Sequence, residues 1–91
     1  MKYLIVYDIS SDRLRERVRG YLKDMGGERI QYSGFIFNCS EKEIENIIKH
    51  IKKMVETRKA KIIAIPICKK DDEKTITMIY KYYIPEEDVV I

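Results

Sequence analysis

The segment Lys2–Asp8 constrains the fold more than any other part of the chain. Alternation along it puts Tyr3, Ile5 and Tyr7 on one side and Leu4 and Val6 on the other, so both faces are apolar. A strand of that kind needs cover on both sides, which is the position of a central strand in a sheet. It ends on a single carboxylate, Asp8, and a helix carrying four arginines follows Ser10 and Ser11. A lone acid between a buried strand and a basic helix serves stability poorly, which makes Asp8 the first functional candidate.

The remaining elements follow from periodicity. Ser10 or Ser11 can cap the first helix, and Asp12 suits its positive N-terminal end. Leu14, Val18, Tyr21, Leu22 and Met25 form its apolar stripe, and Gly26-Gly27 ends it. At about 100° per residue, Arg15 and Arg17 fall on opposite shoulders of that stripe, while Arg13 and Arg19 face outward. These arginines read either as phosphate ligands or as a solvated face of snorkelling side chains accompanied by Glu16 and Asp24. Glu28–Tyr32 and Phe35–Cys39 read as two antiparallel strands joined through Ser33-Gly34 by a tight turn or a bulge. Arg29 and Gln31 make one side of the first of them polar and rich in donors.

Ser40-x-x-Glu43 is a capping box ahead of an amphipathic helix with the stripe Ile44, Ile47, Ile48, Ile51 and Val55. His50 lies off that stripe and reads as a surface residue. Ala60–Ile67 is a further strand, and Pro66, which cannot donate a ladder hydrogen bond, puts it at a sheet edge. Lys69–Lys74 is a charged turn without the glycine or spacing of a calcium loop. Thr75–Tyr80 alternates like a short strand, and an apolar-ended tail runs over Tyr82–Ile91.

The order strand, helix, strand, strand, helix, strand is that of a ferredoxin-like α+β sandwich. The chain of 91 residues makes one domain over 1–91, with its βαββαβ core in 1–68 and an additional C-terminal strand and tail in 75–91. Both helices cover one face of such a sheet, and the first and fourth strands are apolar on the other face as well. A monomer would expose a patch of the kind that marks an interface. The expectation is a face-to-face homodimer with residues 75–91 crossing to the partner.

Composition narrows the function. Charged residues are 36% of the chain, above the roughly 25% of an average domain, a bias that a thermophile or an AT-rich genome would each produce. The net charge is only +3, so nucleic-acid binding would depend on local clusters of arginine and lysine. Cys39 and Cys68 stand far apart with only His50 to assist them, which argues against zinc and against a disulfide framework. No apolar run is long enough for a membrane span and no signal peptide is evident, so a cytoplasmic protein is expected.

If the first strand lies at the dimer interface, two copies of Asp8 approach one axis. Two carboxylates with phosphate oxygens and water can hold Mg²⁺ or Mn²⁺, which could activate water against a phosphodiester. Arg15, Arg17 and Arg29 could position phosphates, and Tyr7 could stack or hydrogen-bond. A single acid after a strand can equally be a helix cap.

Three segments together carry a resemblance: Tyr7-Asp8-Ile9 after an apolar strand, Leu14-Arg15-x-Arg17-Val18, and Arg29-Ile30-Gln31-Tyr32-Ser33-x-Phe35. They resemble the small CRISPR-associated Cas2 family over roughly residues 1–68, with Gly34 where an apolar residue is usual. The resemblance implies a ferredoxin-like homodimer that serves spacer acquisition with the CRISPR integrase of the Cas1 family. It also implies a metal-dependent endonuclease acting on single-stranded RNA or double-stranded DNA. Asp8 would hold the metal, with one ion shared between two copies, and Tyr7, Arg15, Arg17, Arg29 and Phe35 would support the catalytic site, with Ser33 in the same motif. The same family implies an alternative, a DNA-binding adaptor of the integration complex that cuts nothing. A toxin-type endoribonuclease of related fold is a third reading.

Overall fold

A computed structural model describes residues 1–56 and 58–79. The elements are β1 (Lys2–Ile9), α1 (Asp12–Asp24), β2 (Glu28–Gln31), β3 (Gly34–Asn38), α2 (Glu41–Val55), β4 (Ala60–Ile67) and a short α3 (Lys69–Glu73). The four strands form one antiparallel sheet in the order β2-β3-β1-β4, which is the ferredoxin-like arrangement. β1 is central, as its two apolar faces require, and Pro66 lies on the edge strand, where its missing N–H costs no ladder bond.

Both long helices cover one face. Leu14, Val18 and Leu22 of α1 and Ile44, Ile47, Ile51 and Val55 of α2 pack on Tyr3, Ile5, Tyr7, Ile9, Phe35 and Phe37. The other face carries Leu4 and Val6 of β1, Ile36 of β3, and Ile63 and Ile65 of β4. Ile63 and Ile65 are 42% and 41% exposed. Neither α1 nor α2 covers this apolar surface.

Local chemistry explains the helix ends. The Ser11 hydroxyl accepts from the Leu14 amide to start α1, and the Ser40–Glu43 capping box starts α2 with both reciprocal bonds, at 2.8 and 3.1 Å. The two glycines after α1 have different duties. Gly26 takes a positive φ of 94°, which closes the helix, whereas Gly27 makes room for the buried Phe37 ring.

Three details depart from the sequence reading. The β2–β3 turn falls at Tyr32-Ser33, one residue earlier than expected, because Gly34 already pairs with Val6 and Gln31; a register irregularity between Arg29 and Gln31 accompanies it. Residues Lys69–Glu73, read as a charged turn, form a helical turn capped by the Cys68 sulfur and tied to β1 by a Lys2–Asp72 ion pair at 2.9 Å. Residues 75–79 form neither helix nor strand, and the rest of the expected C-terminal strand and crossing tail lies outside the described residues.

Candidate functional site

Side-chain alternation along β1 splits the candidate residues between the two sides of the sheet. Tyr7 turns toward the helices and is buried, while Asp8 turns to the open face and is exposed. Asp8 sits two residues beyond the last β1–β3 pair, Val6↔Gly34, and opposite Lys61 of β4. Its carboxylate makes no hydrogen bond or ion pair among the described residues. Lys61 was not singled out from the sequence, since only the strand register brings it beside Asp8.

On the helix side, Tyr7, Arg15, Glu16, Arg19, Arg29, Tyr32 and Ser33 line one pocket of about 360 Å³. Its floor is the Tyr7 ring, stacked on the fully buried Phe35 with centroids 6.4 Å apart. The Tyr7 hydroxyl donates to the Tyr32 carbonyl at 3.2 Å, and Arg29 Nη2 donates to the same oxygen at 3.0 Å. Arg29 Nε reaches the Gln31 carbonyl at 3.3 Å, and the guanidinium lies 5.2 Å from the Tyr32 ring centroid. Arg29 is only 7% exposed, so this β2 arginine faces the core side and fixes the turn. Burial raises the Tyr7 pKa above its ordinary value, with Arg29, Arg19 and Arg15 pulling the other way.

From α1, Arg15 Nη1 donates to the Ile9 carbonyl at 2.9 Å and its other nitrogen pairs with Asp12. Arg19, expected to face outward, turns inward instead and is held by Glu16 at 2.9 Å, its side chain 19% exposed. It stands one turn beyond Arg15, so the i, i+4 spacing was the available signal. Arg17 leaves on the opposite shoulder and lines a separate recess with Arg13 and Arg58. The structure therefore brings Tyr7, Arg15 and Arg29 together over Phe35, adds Arg19, Glu16 and Tyr32 to them, and leaves Asp8 and Arg17 elsewhere. His50 is exposed and stacks on Tyr21 at 4.3 Å. Cys39 and Cys68 are free thiols.

Residues 1–75 match the family described as CRISPR associated protein Cas2. The chain belongs to the Cas2 family. Among its relatives, a protein of Korarchaeum cryptofilum named CRISPR-associated endoribonuclease Cas2 is 39% identical over 71 residues, covering 78% of this chain and 76% of the relative. One of the same name from Desulforudis audaxviator is 29% identical over 87 residues, covering 96% and 82%. Streptococcus pyogenes Cas2, solved at pH 6.5, superposes with a TM-score of 0.69 at 22% identity over 86% of this chain and 99% of that one. A hypothetical protein of Thermus thermophilus superposes at 0.71, also at 22% identity, over 93% and 96%. These superpositions support the ferredoxin-like Cas2 fold.

The described residues contain no cluster of three or more His, Cys, Asp or Glu that could hold a metal ion within one chain. A single exposed carboxylate suits a hard cation that keeps its water and is shared with substrate phosphate, as Mg²⁺ is, and does not suit zinc. Asp8 therefore supplies one oxygen-donor side chain, the chemistry of a magnesium ligand rather than of a zinc ligand. No described helix is long and apolar enough to cross a membrane.

Proposed function

We propose that this Cas2 protein is a cytoplasmic endonuclease that hydrolyses phosphodiesters of single-stranded RNA or double-stranded DNA during spacer acquisition with the CRISPR integrase. The observation that carries this reading is Asp8, an exposed carboxylate with no partner among the described residues, at the end of an apolar sheet face that neither α1 nor α2 covers. Joining two such faces buries Leu4, Val6, Ile36, Ile63 and Ile65, makes a homodimer and draws two Asp8 side chains toward one axis. The paired carboxylates would hold one Mg²⁺, or Mn²⁺, which supplies Lewis acidity and lowers the pKa of bound water. Asp8 would offer its oxygens to the ion, and Lys61, its cross-strand partner, would offer an ammonium to a phosphate oxygen at the same end of the face.

Purified protein would be assayed on RNA and DNA with and without Mg²⁺, beside Asp8→Asn. The expected outcome is Mg²⁺-dependent cleavage lost in the variant by at least about 100-fold, the scale of losing an essential group. Cleavage undiminished in Asp8→Asn would end the catalytic reading. A sedimentation mass of one chain at micromolar concentration would end the dimer.

One observation favours a second reading, a DNA-binding adaptor of the integration complex. Tyr7, Arg15 and Arg29 lie across the sheet from Asp8, so the basic residues do not converge on the candidate metal ligand. Integration supported with the Cas1 partner by a protein that cuts nothing would decide for it.

A further inference from the structure

We propose that the recess between the start of α1 and the α2–β4 link is a subsite for one backbone phosphate of a nucleic-acid strand, gripped jointly by Arg13, Arg17 and Arg58. Three guanidinium groups line it against one carboxylate, Glu56, a formal surplus of two positive charges. None of the three makes an ion pair or a hydrogen bond among the described residues, and neither does the Glu56 carboxylate. The Tyr7 pocket differs in this respect, since Asp12 and Glu16 there already engage Arg15 and Arg19. Arginines that served only solubility would spread apart into water, because like charges gathered in one recess repel each other. Their convergence favours an anionic occupant.

Chain geometry brings the three together. α2 ends at Glu56 with a φ of 47°, a conformation that suits glycine, and the Arg58 amide bonds back to the Val55 carbonyl at 2.8 Å. Ser10 ties the link to the β1–α1 junction, its amide and its hydroxyl both donating to the Lys59 carbonyl at 3.3 Å. Arg58 is thereby delivered beside Arg13 and Arg17, which lie one helical turn apart on α1. The Ser11 hydroxyl accepts from the Leu14 amide and keeps its own proton for an oxyanion at the positive end of this 13-residue helix. The recess holds about 260 Å³, and no aromatic ring lines it among the described residues. It therefore suits a phosphate group and gives a base nothing to stack on. Ser11 is three residues beyond Asp8, at most about 11 Å along the chain, so a strand with one phosphate at Asp8 reaches the recess a few nucleotides on. That place on the substrate's path rests on the nuclease reading, whereas the grip itself does not.

Fluorescence anisotropy titrations of the full chain with labelled oligouridylate and oligoadenylate test the grip, run across a range of salt in EDTA so that nothing is cut. Arg13→Gln, Arg17→Gln and Arg58→Gln should each weaken both strands by at least about threefold and to the same degree, since a phosphate contact reads no sequence. Released counterions count the phosphates, at a slope of about 0.7 in log K against log salt for each one on a single strand. The triple variant should therefore lose about 0.7 from that slope, as one shared phosphate requires, and not about 2, as three separate ones would. Glu56→Gln should tighten both strands a few-fold, a gain that misfolding cannot produce. An unchanged slope in the triple variant, or a loss of about 2, would overturn the proposal. So would calorimetry in which inorganic phosphate binds through the three arginines while their removal leaves both strands unaffected, which would make the recess a free-anion site. A failure of Asp8 to support cleavage changes none of these outcomes, so the two readings fail separately.

Discussion

Replacing glycine by alanine should have opposite effects at two positions seven residues apart. Gly20 lies inside α1 with nothing within 4 Å of where a Cβ would stand. Alanine there should stabilise the protein by about 1 kcal/mol, because glycine loses the most backbone freedom on entering a helix. At Gly27 the added Cβ would stand 2.5 Å from Phe37 Cζ, 2.7 Å from Cε1 and 3.0 Å from the Leu22 carbonyl oxygen. The closest approach is 0.9 Å short of ordinary contact at 3.4 Å. Phe37 is 3% exposed in the shared core and cannot swing aside, and the Leu22 oxygen belongs to the helix backbone. Overpacking of this kind costs about 1–3 kcal/mol, which exceeds the fraction of a kcal/mol gained by stiffening the unfolded chain. For a domain of this size, that is a fall in Tm of at least about 5 °C for Gly27→Ala and a rise of about 4–8 °C for Gly20→Ala. Thermal unfolding followed by circular dichroism measures both, and Phe37→Leu in the Gly27→Ala background should recover part of the loss. Shifts of the same sign at both positions would refute the close-approach account of Gly27. The site depends on it too, because Arg29 follows two residues later.

Other expectations concern the cap and the pocket floor. Ser40→Ala should cost about 1 kcal/mol in urea unfolding, since it removes an N-cap acceptor. The Ser40 amide and hydroxyl hold the Glu43 carboxyl below its ordinary value of 4.5. Stability linked to that group is present above about pH 4.5 and is lost as the pH falls through the lowered folded value, so the Tm gap between the parent and Glu43→Gln should close on acidification. Tyr7→Phe should cost about 1 kcal/mol at neutral pH, because the Tyr32 carbonyl keeps its bond from Arg29. Burial raises the Tyr7 pKa, so its linked stability is intact below its ordinary value of 10 and is lost as the pH climbs through the folded value. The variant should therefore lose Tm less steeply than the parent in alkaline titration.

Much of the site's chemistry was legible as residue types, and its assembly was not. The helical wheel gave the angles of four arginines relative to one stripe, but it could not say that β2 and its turn lie beside the Arg15 shoulder. That neighbour is why Arg19 turns inward to Glu16 while Arg17 leaves toward Arg58. Arg29 looked like part of a polar strand face, and burial with the Gln31 and Tyr32 carbonyls gave it a structural duty.

The sequence by itself determined whatever depends on local periodicity and capping. This includes the central β1, both amphipathic helices, the Ser40 box, Pro66 at an edge, the ferredoxin-like order and the motifs of the Cas2 family. Only the tertiary structure decided which face of β1 the helices cover, because both faces are apolar and either could have been chosen. That choice buries Tyr7 under α1 with Arg29 and leaves Asp8 beside Lys61 on the uncovered face. The physical reason is that side-chain direction is local, while cover and company come from elements distant in the chain.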